Sequence, residues 1–392
     1  MSKKRFSGLR LILMVPVVVL LAGGLIIGGR ALQEPGEVRT LKRQEVAQTD
    51  EGHQEYYFGL LNENEQRGYR EILEGIRSFE DKFYLSLSGD NEIDRVYHAV
   101  LKDHPELFWV HNREKVYKTT YSGRDYCQFS PGYTYTEEQR QEITQAMENA
   151  YQEVLSQIPD GADDYTKVMT VYTYVIDNTE YVISDDDQSI AGAFWKKQAV
   201  CAGYAGAVQY LLERLGIPCT TVTGNARGES HAWNLVQMDG EYYYIDTTWG
   251  NSQYMYQNEQ NGAVSGETGI SKFPDYDYFG ATTQTILKTH TPDSEIPLPD
   301  CTAVEDNYFI HQGLYVESWD VNRIGEMIGY AYDSGQAAVQ IKFSSVELCE
   351  QAMQYFVEDS HLFDYCEEIE SVQYLENSEN AVMVLLFPTN AE

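Results

Sequence analysis

The chain has 392 residues, with 28 Lys plus Arg against 61 Asp plus Glu and a formal net charge of −33. That length suits two or three domains with at least one sizeable core, and so large an acidic excess argues against nucleic acid and anionic lipid surfaces as partners. Six cysteines, at 127, 201, 219, 301, 349 and 366, are too few and too dispersed for a disulfide scaffold, although a Cys349–Cys366 pair within one domain is conceivable.

Lys3, Lys4, Arg5 and Arg10 precede an uncharged apolar run from Leu11 to Gly29. The run is long enough to cross a bilayer core of about 30 Å, and the basic flank places residues 1–10 in the cytoplasm and the rest outside it. The expectation is an uncleaved single-pass membrane anchor at 11–29; Gly29-Arg30-Ala31 keeps open a cleaved signal sequence and a secreted chain. Residues 30–54 are polar, contain Pro35, Gly36 and Gly52, and read as a stalk.

Residues 55–135 read as a helical and strand region. Asn62 with Glu65 caps a helix whose apolar face is Tyr69, Ile72, Leu73 and Ile76. A second helix carries Ile93, Val96, Tyr97, Val100 and Leu101 and ends before Pro105, and Leu107 to Val110 is predicted as a buried strand. His98 and His104 stand here without a neighbour that completes a metal site.

The segment 136–295 is predicted as the catalytic domain. Thr136 and Gln139 form a capping box for a helix through Ile143, Met147, Ala150, Tyr151, Val154 and Ile158, and another helix holds Tyr165, Val168, Tyr172, Val175 and Ile176 inward. Asp185-Asp186-Asp187 lacks the alternating spacing of a calcium loop and reads as a solvated turn. Val208, Leu211, Leu212 and Leu215 give a helix that stops at Gly216-Ile217-Pro218 and starts near Cys201. A thiol at a helix N-terminus sits in the positive end of the macrodipole, which favours the thiolate.

Beyond one strand, Asp239-Gly240 between alternating aromatic and aliphatic residues signals a two-residue hairpin. In that register Met238 faces Glu241, His231 faces Thr248 and Asp246 faces Trp233. Asp246 then lies on the face of His231, one diagonal step away and within reach of a carboxylate–imidazole hydrogen bond. A base oriented by a carboxylate near a helix-start thiol is the logic of a Cys201-His231-Asp246 catalytic triad. Gln188 and Trp195 are candidates for an oxyanion-hole donor beside the Cys201 backbone N–H, and Tyr204, Trp233 and Trp249 are candidates for a substrate channel.

Residues 251–272 are polar, contain glycine and are too long for a plain connection, so they are a candidate lid. Pro292, Pro297 and Pro299 mark a linker. Residues 296–392 form a small α+β module with a helix through Ile324, Met327 and Ile328, a strand at Val339 to Phe343, a helix with Val346, Cys349, Met353 and Phe356, and strands near 371–375 and 381–387. It holds no catalytic constellation, His311 reads as structural, and binding or spacing is its expected role.

Three linked motifs, CAGYA at 201–205, HAWN at 231–234 and DTTW at 246–249, resemble the transglutaminase-like branch of the papain-type thiol enzymes. The resemblance covers mainly residues 137–290. It implies an α+β fold in which a helix carrying the Cys packs on an antiparallel sheet carrying the His and Asp, with a helical N-terminal region and the C-terminal module appended. The expected function is thiol acyl transfer on protein or peptide amides, in or near the cell envelope, ending in hydrolysis. Protein cross-linking and a catalytically silent surface binding protein are the alternatives. No metal or other cofactor is expected, since the chain has no CxxC and no zinc-like cluster.

Overall fold

In the structure, a computed structural model that describes residues 55–110, 115–121, 124–252, 273–293, 297–366, 369 and 371–388, the first long helix is α1 (Glu63–Arg77). The Asn62 side chain accepts from the Asn64 and Glu65 amides, and Glu65 accepts from the Asn62 amide, the reciprocal cap its sequence predicts. α1, strand β1 (Phe83–Leu85), helix α2 (Asp90–Asp103) and the hairpin of β2 (Lys115–Tyr121) and β3 (Arg124–Ser130) share a core that includes Tyr69, Ile72, Val96 and Phe129. Its three strands are antiparallel in the order β1-β3-β2.

The strand expected at Leu107 to Val110 is instead a run of turns, in which the Leu107 amide donates to His104 O and the Val110 amide to Leu107 O. Its apolar residues face two different cores, Leu107 the N-terminal one and Phe108 the central one. The continuous apolar run therefore reflects a junction and not a ladder.

The central layer begins with α3 (Glu137–Gln157), capped by Thr136 and Gln139, and α4 (Asp164–Asn178). A short parallel pair, β4 (Glu180–Tyr181) with β5 (Gln198–Ala199), leads into α5 (Cys201–Arg214). These helices cover an antiparallel sheet ordered β10-β6-β7-β8-β9, built from β6 (Cys219–Ala226), β7 (Glu229–Met238), β8 (Glu241–Ile245), β9 (Phe279–Ala281) and β10 (His290–Pro292). Met238 pairs with Glu241, and Asp239 and Gly240 have φ of 49° and 88°, the left-handed backbone that a two-residue primed turn requires.

Two expectations change here. Pro292, read as linker, closes an edge strand in which His290 opposes Ala226 and Pro292 opposes Gly224. Three residues are too few to show alternation, and a missing N–H is tolerated at an edge. The β7–β8 ladder also ends at Asn234 and Ile245, so His231 and Thr248 do not face each other on paired strands.

The C-terminal layer is a four-stranded sheet, β11-β12-β14-β13, made of β11 (Tyr315–Val316), β12 (Ala338–Phe343), β13 (Gln373–Asn377) and β14 (Val382–Leu386). Helices α6 (Val321–Asp333) and α7 (Val346–Met353) bury Ile324, Ile328 and Cys349 against Ile341, Met383 and Leu385 on one face. Val382, Val384 and Leu386 on the other face pack with Phe273 and Phe309. Gln340 reinforces that junction, donating to Pro274 O at 2.7 Å and accepting from the Tyr276 amide at 3.0 Å. Cys349 and Cys366 are both buried and no disulfide joins them.

The apolar run at 11–29, the stalk at 30–54 and the candidate lid at 251–272, Asn251 and Ser252 excepted, lie outside the described residues. Among the described residues, no helix is long and apolar enough to cross a membrane.

Candidate active site

Cys201 is the first residue of α5, after Val200 at the N-cap. The first-turn amides of a helix have no intrahelical partner and point out of its positive end. The loop before the helix is pressed close: the Val200 amide donates to Asp187 O at 2.9 Å, and a Cβ at Gly203 would lie 2.6 Å from that same oxygen. Only glycine admits this approach. Asp187 folds its own turn by accepting from the Ser184 amide, and Asp186 pairs with Lys196, so the acidic run is a turn against the helix start.

His231 lies on β7 and Asp246 one residue beyond β8. The His231 Nε2 atom is 2.8 Å from Asp246 Oδ2, and Cys201 is close enough to the same ring to help raise its pKa. The diagonal contact read from the hairpin is present, but Asp246 reaches it from a turn rather than from a ladder. Its Oδ1 accepts from the Thr248 amide at 3.0 Å and the Trp249 amide at 3.1 Å, which folds DTTW back on itself. Thr248 is thereby placed by its backbone, and its buried Oγ1 has no hydrogen-bond partner.

Side chains lock the two carriers together. Asn234, the last residue of HAWN, donates from Nδ2 to Ala205 O at 3.0 Å and so ties the His231 strand to the Cys201 helix. From that helix Gln209 accepts from the Thr221 amide at 2.9 Å and hydroxyl at 2.8 Å on β6. Tyr172 of α4 donates to Asp275 O at 2.6 Å and approaches Asp246 O at 3.3 Å.

Burial alone would strip the charge from both His231 and Asp246. For His231, burial is outweighed by the Asp246 carboxylate and then by Cys201, and the imidazole is raised to about 10. For Asp246, which is fully buried, burial is outweighed by His231 and His290, and the carboxyl is held well below its usual range. Each group thus favours the charged form of the other.

His290, which the sequence reading does not single out, is the second imidazole on Asp246: its Nε2 stands 3.0 Å from Oδ2. It lies 44 residues from Asp246 on a three-residue edge strand, so neither motif spacing nor periodicity exposes it. The donor atoms of His231, Asp246 and His290 lie within 4.8 Å of one another, close enough to share a metal ion, although hydrogen bonds already engage all three.

The remaining candidates are distributed around this centre. Tyr204 is fully buried, donates to Thr179 O at 2.6 Å and accepts from Asn251, so it packs the core rather than lining an opening. Trp233 is equally buried and stacks beside His231, with ring centroids 6.1 Å apart. Trp249 packs against His231 and His290 and carries the Arg227 guanidinium 4.8 Å from its ring centre. Gln188 is exposed between Asp187 and Ser189, beside the α5 start, and Trp195 is half-buried on a π-helical turn (Gly192–Lys196) against the central core.

A family model for the transglutaminase-like superfamily matches residues 152–247. The kyphoscoliosis peptidase of Mus musculus is 24% identical over 159 residues, covering 35% of this chain and 22% of that protein. Its Homo sapiens counterpart is 26% identical over 106 residues, covering 22% of this chain and 16% of that protein. The chain thus spans less than a quarter of either peptidase. Among solved structures, one described as a TGase aligns at 15% identity with a TM-score of 0.26, over 43% of this chain and 51% of that one. The periplasmic domain of TgpA from Pseudomonas aeruginosa aligns at 18% identity and a TM-score of 0.21, over 32% and 54%. Residues 152–247, which hold Cys201, His231 and Asp246, form a transglutaminase-like domain of the papain-type fold.

Proposed function

We propose that this chain is a thiol enzyme acting outside the cytoplasm, which hydrolyses amide bonds of protein or peptide substrates through Cys201, His231 and Asp246. The observation that carries the reading is the buried His231–Asp246 hydrogen bond, with Cys201 at the start of α5 beside the same imidazole. The peptidases among the similar proteins favour water as the acyl acceptor. The basic flank and apolar run at 3–29 favour export with a membrane anchor.

In this mechanism Cys201 Sγ, its proton transferred to His231, attacks the amide carbonyl carbon, and the carbonyl electron pair moves onto oxygen. First-turn amides of α5 face that oxyanion. When the tetrahedral adduct collapses the C–N bond breaks, and the His231 proton leaves with the amine. Water then adds to the thioester while His231 takes its proton, and cleavage of the C–S bond frees the acid and returns the thiol. Asp246 holds the imidazole in one orientation and balances its charge throughout.

The deciding experiment offers peptide and glutamine amide donors together with a primary amine, and measures amine or ammonia release beside amine incorporation. Release without incorporation, lost in Cys201→Ala, is the expected result. Incorporation that outpaces release makes the chain a cross-linking enzyme, and no Cys201-dependent product from any donor overturns the enzymatic reading. For location, the expected result is retention in the membrane fraction through an alkaline wash; a soluble mature chain beginning near Leu32 overturns the anchor.

A further inference from the structure

We propose that His290 is a positioning residue of the triad, which with Thr289 and Tyr278 fixes Asp246 by placing a second imidazole on the oxygen that His231 takes. The inference rests on the triad reading above and adds a role for a residue outside all three motifs.

A carboxylate turns easily about its last torsion, which is broad and roughly two-fold. The Thr248 and Trp249 amides hold Oδ1, and because the carboxylate is a rigid plane, donors on Oδ2 hold the same torsion from its other end. Two imidazoles supply them, His231 Nε2 at 2.8 Å and His290 Nε2 at 3.0 Å. With two donors on Oδ2 as well as two on Oδ1, the carboxylate torsion has one place to be. His231 has to gain and lose a proton during the reaction cycle. His290 is the partner that does not need to.

The surroundings of His290 fit that task. Its ring is 1% exposed and is flanked by Trp233, Trp249 and Tyr278, with ring centroids 4.9, 4.5 and 5.2 Å away. An acceptor-only carboxylate assigns the Nε2 proton to the bond with Asp246. Nδ1 lies 2.8 Å from Thr289 Oγ1, which in turn lies 2.9 Å from the Tyr278 hydroxyl. With Tyr278 donating to Thr289, and Thr289 donating to Nδ1 in preference to the more distant Ile286 O at 3.5 Å, the ring is held at both nitrogens. Strand β10 delivers it, paired with β6 at Ala226.

A purely structural histidine would be replaceable by any ring that fills its space. A positioning histidine acts through its N–H and only while Asp246 is a carboxylate, and this difference is measurable. The test uses the full chain after dialysis against EDTA and reads the alkylation rate of Cys201 by iodoacetamide at pH 6, with site-resolved mass spectrometry, so that no substrate is needed. His290→Phe keeps the ring volume and removes the donor, and is expected to slow Cys201 labelling about tenfold, below the roughly 10²-fold that a misplacement of about 1 Å can cause. His290→Gln, whose amide offers an N–H near the Nε2 position, is expected to recover most of the rate. In the Asp246→Asn background His290→Phe is expected to change the rate less than about twofold, because its target is already altered.

Labelling of buried Cys219, unchanged from wild type, reports that each variant is folded. The proposal is overturned if folded His290→Phe labels at the wild-type rate, if Gln is as damaging as Phe, or if the Phe and Asn losses multiply. A wild-type rate that disappears with EDTA and returns with zinc also overturns it, by making the three residues a metal site. A wild-type Cys201 that labels no faster than glutathione at pH 6 refutes the triad itself, and is told apart from the other outcomes because it appears before any substitution is made.

Discussion

Two buried aspartates stand 31 residues apart in this chain and respond to burial in opposite ways. Asp246 is 0% exposed and Asp277 is 3% exposed. Asp246 receives two backbone amides and two imidazoles, and its carboxyl is held far below the ordinary range. Asp277 meets the side-chain amides of Asn377 and Asn380 at Oδ2, while Lys342 Nζ stands 3.5 Å from an Oδ1 that lacks a hydrogen bond. There burial prevails, raising Asp277 and lowering Lys342, each toward its uncharged form. The number of well-aimed donors, not depth, decides whether a buried carboxyl keeps its charge.

Replacing each acid by its amide is the sharpest way to break the comparison. Asp246→Asn is expected to lower kcat/KM by roughly 10- to 10³-fold, approaching the near-complete loss of Cys201→Ala, while Asp277→Asn leaves kcat/KM within about threefold. Steady-state kinetics on the three variants decides it, and equal losses at 246 and 277 would show that the contrast is not functional.

The pH dependence of stability separates the sites next. His231 is raised to about 10 from 6.5, so its stabilising contribution is complete below about 6.5 and is lost as pH climbs through about 10. Asp246 is lowered from 3.8, so its contribution is present above that value and is lost as pH falls further below it. His104 behaves like His231: burial opposes its charge, Glu106 and Glu55 prevail, and it too is raised to about 10. Thermal melts from pH 6.5 to 10 are therefore expected to show a steep fall in Tm for the wild type and a shallower one for Asp246→Asn, which retains only the His104 share. Parallel curves would contradict the ion pair at 231–246.

Smaller effects test the other half. The double change Asp277→Asn/Lys342→Met removes a poorly satisfied buried ion pair, and chemical denaturation should find it neutral or stabilising by about 1 kcal/mol; a loss of several would mean the pair is well satisfied after all. Thr248→Val is expected to matter least. Its hydroxyl is buried without a partner, so an isosteric methyl should change stability by less than about 1 kcal/mol and leave kcat/KM unaltered.

Much of the site was legible because it is written in local codes. Helix α5 announces its start by its stop at Gly216 and its apolar spacing, and Asp239-Gly240 fixes which residues share a face with His231. The DTTW turn was misread as more strand, because Thr and Trp are good strand residues and the Asp246 side chain that folds the turn acts only through backbone amides. His290 was invisible for a different reason: its meaning depends on which edge strand lies beside β6, a long-range pairing that a lone Thr-His-Thr does not encode. The C-terminal module was legible as elements but not as a neighbour, since Gln340 and Lys342 look like ordinary strand polars until Pro274 and Asp277 are placed beside them.

Beside the triad residues the central layer is closed by three contacts. Gly250 O accepts the Asp275 amide at 2.8 Å, Asn251 bridges Pro274, and Ser252 Oγ accepts the Phe273 amide at 3.0 Å. The chain therefore leaves the site at Ser252 and re-enters at Phe273 through a stapled neck. Doubling the length of a loop closed in this way costs only about 0.6 kcal/mol. The neck therefore lets the chain change length beyond Ser252 with little disturbance to Asp246, six residues upstream.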